Sequence, residues 1–180
     1  MTDRSVLPAH LQDQLGAAHD LTDIGHVVRS AARELTGARG ATFVLREGDQ
    51  CFYADEDAIA PLWKGQRFPM TSCISGWAML HGTTAVIPDI ELDPRIPLAA
   101  YRPTFVRSLA MAPVGSPPVA AIGAYWSVAR TPEPGAVASL EALAAATGRA
   151  IDRIGLDDAP WAPSFGQPAD RGSEAPVTAP

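Results

Sequence analysis

Cysteine is scarce: Cys51 and Cys73 are the only two in 180 residues, so at most one bridge can form, and a chain of this length buries a core without covalent staples. Two reduced thiols are the expectation. Long apolar runs are missing as well, since no window approaches the roughly 18 uncharged apolar residues that a bilayer span needs, which excludes a membrane-embedded class. There is no excess of positive charge: 14 Lys and Arg stand against 20 Asp and Glu, for a formal net charge of −6. The basic residues are scattered rather than gathered into a stripe, which argues against a nucleic-acid partner. Met1 to Ser5 carries neither a basic n-region nor an apolar run, so a cytoplasmic address is expected. The histidines, His10, His19, His26 and His81, have no spacing suited to zinc, and no metal is expected.

What is present is the composition of a soluble globular protein, 47% hydrophobic and 19% charged, long enough for one domain with a real core. Leu7, Leu11 and Leu15 recur at helical spacing, and a stronger stripe runs from Leu21 through Ile24, Val27, Val28, Ala31 and Leu35 to Gly37. Asp20 or Thr22 can cap its start and Gly37 its end. Residues 41–46 and 50–54 read as two strands joined at Glu47-Gly48-Asp49. From Asp55 to Pro69 periodicity is lost, and a loop with one helical turn over 58–63 is expected, placed to cover a pocket. A short helix (74–80), a strand (84–87), a helical turn (98–101) and strands over 107–112 and 119–128 follow. The strand pair turns at Gly115-Ser116-Pro117-Pro118, and Gly123 permits a bulge or a close approach. A long helix covers about 134–154, its stripe formed by Val137, Leu140, Leu143, Ala144, Thr147, Ile151 and Ile154. The division expected is an N-terminal helical extension (1–19), a domain (20–155) and a disordered proline-rich tail (156–180).

The stretch from Phe68 to Val114 gives the strongest clue. It runs through a glycine-containing turn and helix (Ser72 to His81), the strand ending Val86-Ile87-Pro88-Asp89, the turn Asp93-Pro94-Arg95, an aromatic-bearing crossing segment, and the strand Ser108 to Val114. This order resembles the central part of a GAF domain, and the wording of Asp93 to Leu109 is similar to GAF modules in front of bacterial histidine kinases. The resemblance covers roughly Asp20 to Arg153. It implies an α/β (α+β) fold, GAF-like (profilin-like), with an antiparallel sheet of five or six strands, terminal helices on one face and a ligand-pocket segment on the other. It also implies a non-catalytic sensory or regulatory module of two-component-type signalling, stand-alone here, that binds a small molecule, homodimerises through its terminal helices and signals through a histidine kinase or other partner protein.

Cys73, Trp77, Tyr101, Arg102, Phe105, Ser108 and Tyr125 are the candidate ligand-pocket residues, since aromatic walls with a few polar groups suit small molecules. Alternation puts Tyr125 and Trp126 on opposite sheet faces, with Tyr125 the one in the pocket. Arg102 and Ser108 are the better polar ligand contacts, whereas Asp89 and Arg95 read as anchors of the irregular segment. Cys73 precedes a short helix whose free amides would favour a thiolate, but the plainer reading of both cysteines is packing, and their spacing does not suit a metal.

One GAF branch reduces free methionine sulfoxide with paired cysteines, so a reductase using Cys73 is an alternative. The loop matching that branch, Leu92 to Val106, holds no cysteine. Bilin-binding relatives carry a Cys-His pair where this chain reads Tyr101 to Val106, and the NKFDSG-like signature of cyclic-nucleotide binders is missing. The sequence therefore names no cofactor, and a ligand-free dimerisation scaffold is the third reading.

Overall fold

The computed structural model describes residues 6–156, so the segment 157–180, for which disorder is expected from composition, lies outside them. Helices Ala9–Ala17 (α1) and Leu21–Thr36 (α2) lead into strands Gly40–Glu47 (β1), Gln50–Ala58 (β2) and Arg67–Pro69 (β3). A 3-10 turn, Met70–Ser72, precedes helix Ile74–His81 (α3), strand Ala85–Ile87 (β4) and the single turn Leu98–Tyr101 (α4). Strands Ser108–Val114 (β5) and Ala120–Trp126 (β6) and helix Pro134–Ile154 (α5) complete the fold. The strands form one six-stranded antiparallel sheet in the order β3-β2-β1-β6-β5-β4, at the upper end of the expected strand count.

Local chemistry fixes the first long helix. The Asp20 carboxylate accepts from the Asp23 amide at 2.8 Å, a cap worth about 1 kcal/mol. Gly37 ends the helix at φ 65°, a left-handed conformation that glycine adopts without a Cβ penalty. The stripe so presented, with Ile24, Val28 and Ala31 buried, packs with α1 and α5 on one sheet face. Small residues on that face, Ala110, Ala112, Ala120 and Ala124, let Leu140, Leu143 and Ile151 of α5 sit close to the strands. Arg153 donates to the carbonyls of Leu15 and Ala18 at 2.9 and 2.8 Å, which ties the end of α1 to the end of α5.

The region after Ala54 departs from expectation. The strand β2 does not stop there but runs to Ala58, with Phe43 opposite Asp55 and Ala41 opposite Asp57. Asp is a poor strand residue, and here cations on neighbouring elements offset the mismatch. Arg33 meets Asp57 at 2.7 Å, and His26, Arg29 and Lys64 surround Asp55 at 3.3, 3.3 and 2.8 Å. The helical turn expected over 58–63 does not form. Instead the Glu56 carboxylate accepts from three consecutive backbone amides, those of Leu62, Trp63 and Lys64, at 3.0, 2.9 and 2.9 Å, and the chain returns as the short edge strand β3.

Truncating Glu56 to alanine removes all three charge-assisted bonds, so a loss of about 2 kcal/mol is expected, with hydrogen exchange accelerated at those three amides. Unchanged protection there would mean that packing of Trp63 alone holds the loop.

Candidate functional site

The second sheet face carries its own buried cluster, built from α3, α4, the Glu56-held loop and the crossing segment. Alternation on β2 directs Cys51 and Tyr53 to this face and Phe52 and Ala54 to the helical one. On β6, Tyr125 faces the cluster while Trp126 packs with the terminal helices, as alternation predicts. Four rings meet here. Trp63 lies 4.7 Å from Tyr101, 5.5 Å from Tyr125 and 5.6 Å from Tyr53, centroid to centroid, in tilted and edge-on arrangements that suit the ring quadrupoles. Its indole N–H donates to the Ala100 carbonyl at 3.1 Å, joining the loop to the crossing segment.

The polar ends of these rings are unequally satisfied. Tyr125 Oη pairs with Thr42 Oγ1 at 2.8 Å, in space left open by Gly123, where a Cβ would overlap the tyrosine hydroxyl. This is the close approach foreseen for Gly123; the sheet's irregularity lies instead between Phe43 and Val44. Tyr53 Oη pairs with Ser75 Oγ at 3.1 Å. Tyr101 Oη is buried and has no partner among the described residues. Burial pushes all three phenols above their usual range, so they stay neutral at any physiological pH. They serve as hydrogen-bonding groups rather than as bases.

The two thiols adjoin this cluster. Cys73 caps α3, its sulfur 3.3 Å from Ser75 Oγ and 3.5 Å from the Pro69 carbonyl. Cys51 lies against Met70, Sγ to Sδ 3.2 Å, and beside Cys73. Hydrogen bonding from Cys51 holds the Cys73 thiol below its ordinary range, against the effect of burial and with help from Ser75 and the Gly76 amide. The same contact, together with burial, pushes Cys51 up. Sequence spacing made these two unrelated packing residues, and the fold makes them neighbours.

The remaining candidates are placed differently. Phe105 packs on the cluster's border, its ring against Gly40. Trp77 lies at the outer edge, stacked on His81 at 4.4 Å and covered by the Arg95 guanidinium at 4.4 Å. Arg102 is largely exposed and 3.8 Å from Glu91. Ser108 donates to the Val128 carbonyl at 2.8 Å, which uses its hydroxyl to fasten the strand end. Tyr53, Trp63, Thr42 and Ser75 escaped the sequence reading. Period-two alternation past Cys51 would have found Tyr53, but nothing local marks Trp63. None of the seven candidates lines the four clefts of 230 to 640 Å³ whose walls include Arg33, Val27, Glu141 and Arg149, and the aromatic cluster itself is buried.

The crossing segment above it is bonded largely to itself. Asp89 accepts from the Glu91 amide at 2.9 Å, Asp93 from the Arg95 amide and guanidinium at 2.7 to 3.0 Å, and Thr104 donates to the Tyr101 carbonyl at 2.7 Å. Arg95 thus acts through Asp93 and Trp77. Its hydrogen bonds hold the Asp93 carboxyl below the usual carboxylate range.

Among solved structures, the free methionine-R-sulfoxide reductase of Neisseria meningitidis superposes with a TM-score of 0.69 at 17% identity, over 80% of this chain and 85% of that one. The GAF domain of an Acinetobacter phosphoenolpyruvate-protein phosphotransferase gives 0.69 at 11% identity, over 80% and 89%. The GAF domain of a two-component sensor histidine kinase from Bacillus halodurans gives 0.64 at 15%, over 76% and 97%. At such identities the likeness is one of fold. No curated protein matches the chain in sequence. The sequence profile of the GAF domain matches residues 18–152, which takes in α2 through most of α5, the whole sheet and the second cluster, and the chain accordingly belongs to the GAF domain family.

Proposed function

We propose that this chain is a non-catalytic sensory or regulatory GAF domain, cytoplasmic and bacterial, that takes a small molecule on the second sheet face and signals through a partner protein. Dimerisation through the terminal helices and a histidine-kinase partner belong to the same reading. The observation that carries it is the Tyr101 hydroxyl, buried without a partner among the described residues in a wall of Trp63, Tyr53 and Tyr125. A buried unpaired hydroxyl costs about 1 to 3 kcal/mol, and a ligand group that bonds to it recovers that cost. The segment from Asp89 to Val106 supports the reading, because it keeps its internal hydrogen bonds if it lifts as a unit. Lifting breaks the Trp63–Ala100 bond and the bond from the Ile90 amide to the Arg107 carbonyl. A ligand that prefers the lifted arrangement shifts the equilibrium by its difference in affinity, typically about 1 to 3 kcal/mol. The ligand class implied is small and largely planar or apolar, with one hydrogen-bonding group.

Native mass spectrometry of protein purified from its own host, wild type beside Tyr101→Phe, tests this. The expected result is a small molecule retained by the wild type and held about tenfold less by Tyr101→Phe, a difference of about 1.4 kcal/mol. The unliganded variant should be as stable as the wild type or up to about 1 kcal/mol more so, since it loses only an unpaired hydroxyl. A wild-type dimer carrying no small molecule would replace the sensor reading with a ligand-free scaffold.

A further inference from the structure

The binding reading leaves the two thiols without a role. They come from different elements, Cys51 on β2 and Cys73 at the start of α3, and they meet over the turn Pro69 to Ser72. Cys51 Sγ rests on Met70 Sδ, while Cys73 Sγ touches the Pro69 carbonyl and Ser75 Oγ. The turn itself is held hard against α3, because Gly76 has no side chain and its Cα faces the Met70 carbonyl directly. Access differs between the two: Cys51 is fully buried, whereas Cys73 keeps 7% of its surface. The surroundings differ too. The Ser75 hydroxyl lies 3.3 Å from the Cys73 sulfur at the start of α3, a setting that favours a thiolate, while the Cys51 sulfur is fully buried against Met70 and stays protonated. A thiol that keeps a small part of its surface thus stands beside a fully buried one, in a chain that has no other cysteine.

We propose that Cys73 and Cys51 form a peroxide-oxidisable dithiol, a modification site at which Cys73 reacts first and Cys51 closes an intramolecular disulfide. In the first step the Cys73 thiolate sulfur bonds to one oxygen of hydrogen peroxide and the O–O bond breaks. The departing hydroxide takes up the proton that Cys73 had lost and leaves as water, with the sulfur oxidised to a sulfenic acid. In the second step the Cys51 sulfur bonds to the Cys73 sulfur and displaces its hydroxyl, which leaves as a second water with the Cys51 proton. Two thiols and one peroxide become one disulfide and two waters, and an external dithiol reverses the change. The new bond would join β2 to the start of α3 next to the Tyr53–Ser75 hydrogen bond, so the oxidation state would reach the aromatic cluster whether or not a ligand is bound.

The test uses the full, reduced chain exposed to hydrogen peroxide, with remaining thiols blocked by N-ethylmaleimide under denaturing conditions and peptides mapped by mass spectrometry. The expected product is the Cys51 peptide linked to the Cys73 peptide, two hydrogens lighter than the pair and separated again by dithiothreitol. In Cys51→Ser, Cys73 should accumulate as the sulfenic acid, trapped by dimedone. A wild-type map in which Cys73 reaches sulfinic acid while Cys51 stays alkylatable would overturn the proposal. So would a Cys73 bridge between chains, or two intact thiols. Should Cys51→Ser fail to fold, the wild-type map decides alone.

Discussion

Gly76→Ala is expected to lower the stability of the fold by about 3 kcal/mol or more, or to prevent its recovery as soluble protein. A Cβ at this position would overlap the Met70 carbonyl oxygen and come within 2.5 and 2.6 Å of the Met70 carbonyl carbon and Cα. All three are backbone atoms, so no rotamer change relieves the overlap, and the 3-10 turn and α3 must separate. Gly16→Ala is the companion control. Its Cβ meets nothing within 4 Å in helix α1, and replacing a helical glycine by alanine stabilises by up to about 1 kcal/mol. Urea denaturation reads both variants, and the midpoint of Gly76→Ala should fall while that of Gly16→Ala holds or rises. Equal midpoints would mean that α3 and the turn yield without cost.

Asp55→Ala is the second large effect, with an expected loss of about 3 kcal/mol, the lower end of the range for breaking a buried ion pair. The Asp55 side chain is fully buried, with Lys64 Nζ at 2.8 Å and Arg29 Nε and His26 Nδ1 each at 3.3 Å. Arg29 Nε is itself buried and has only this carboxylate to face, so truncation leaves it uncompensated. The cost stays at the low end because the Arg29, Lys64 and His26 side chains are 31%, 43% and 52% exposed and regain water. Hydrogen exchange should show the far half of β2, residues 55–58, opening before the near half. A loss under about 1 kcal/mol would place Asp55 among ordinary surface pairs.

These two variants mark where sequence reading succeeded and where it stopped. The long helices, the β5–β6 hairpin and the opposed faces of Tyr125 and Trp126 were legible because their signals are local: an apolar stripe with a capping Asp20, a turn of Gly115 to Pro118, a period of two. The continuation of β2 was not, since Asp55 and Asp57 look like strand enders until the cations on α2 are set beside them, and those lie on another part of the chain. Trp63 sits in a stretch interrupted by Pro61 and Gly65, with no periodicity to assign it a direction. Its place is fixed by Glu56 and by rings on α4 and β6. The thiol pair is the same case, two residues whose relation exists only after β2, the 3-10 turn and α3 have packed. Motif order was enough for the family, whereas the residues of the site depended on contacts across the chain.

Strand β6 separates two interiors that share no side chains, and Tyr125 and Trp126 stand on either side of it, one peptide bond apart. That peptide is planar and stiff, so a rotation of the strand that swings the tyrosine carries the tryptophan with it, as the two ends of a rocker move together. In the sensory role proposed above, the distance a message must travel is the thickness of a single strand. In that role no chain of intermediaries is required, and the helices would register a change on the far face as a shift of the wall they lean on.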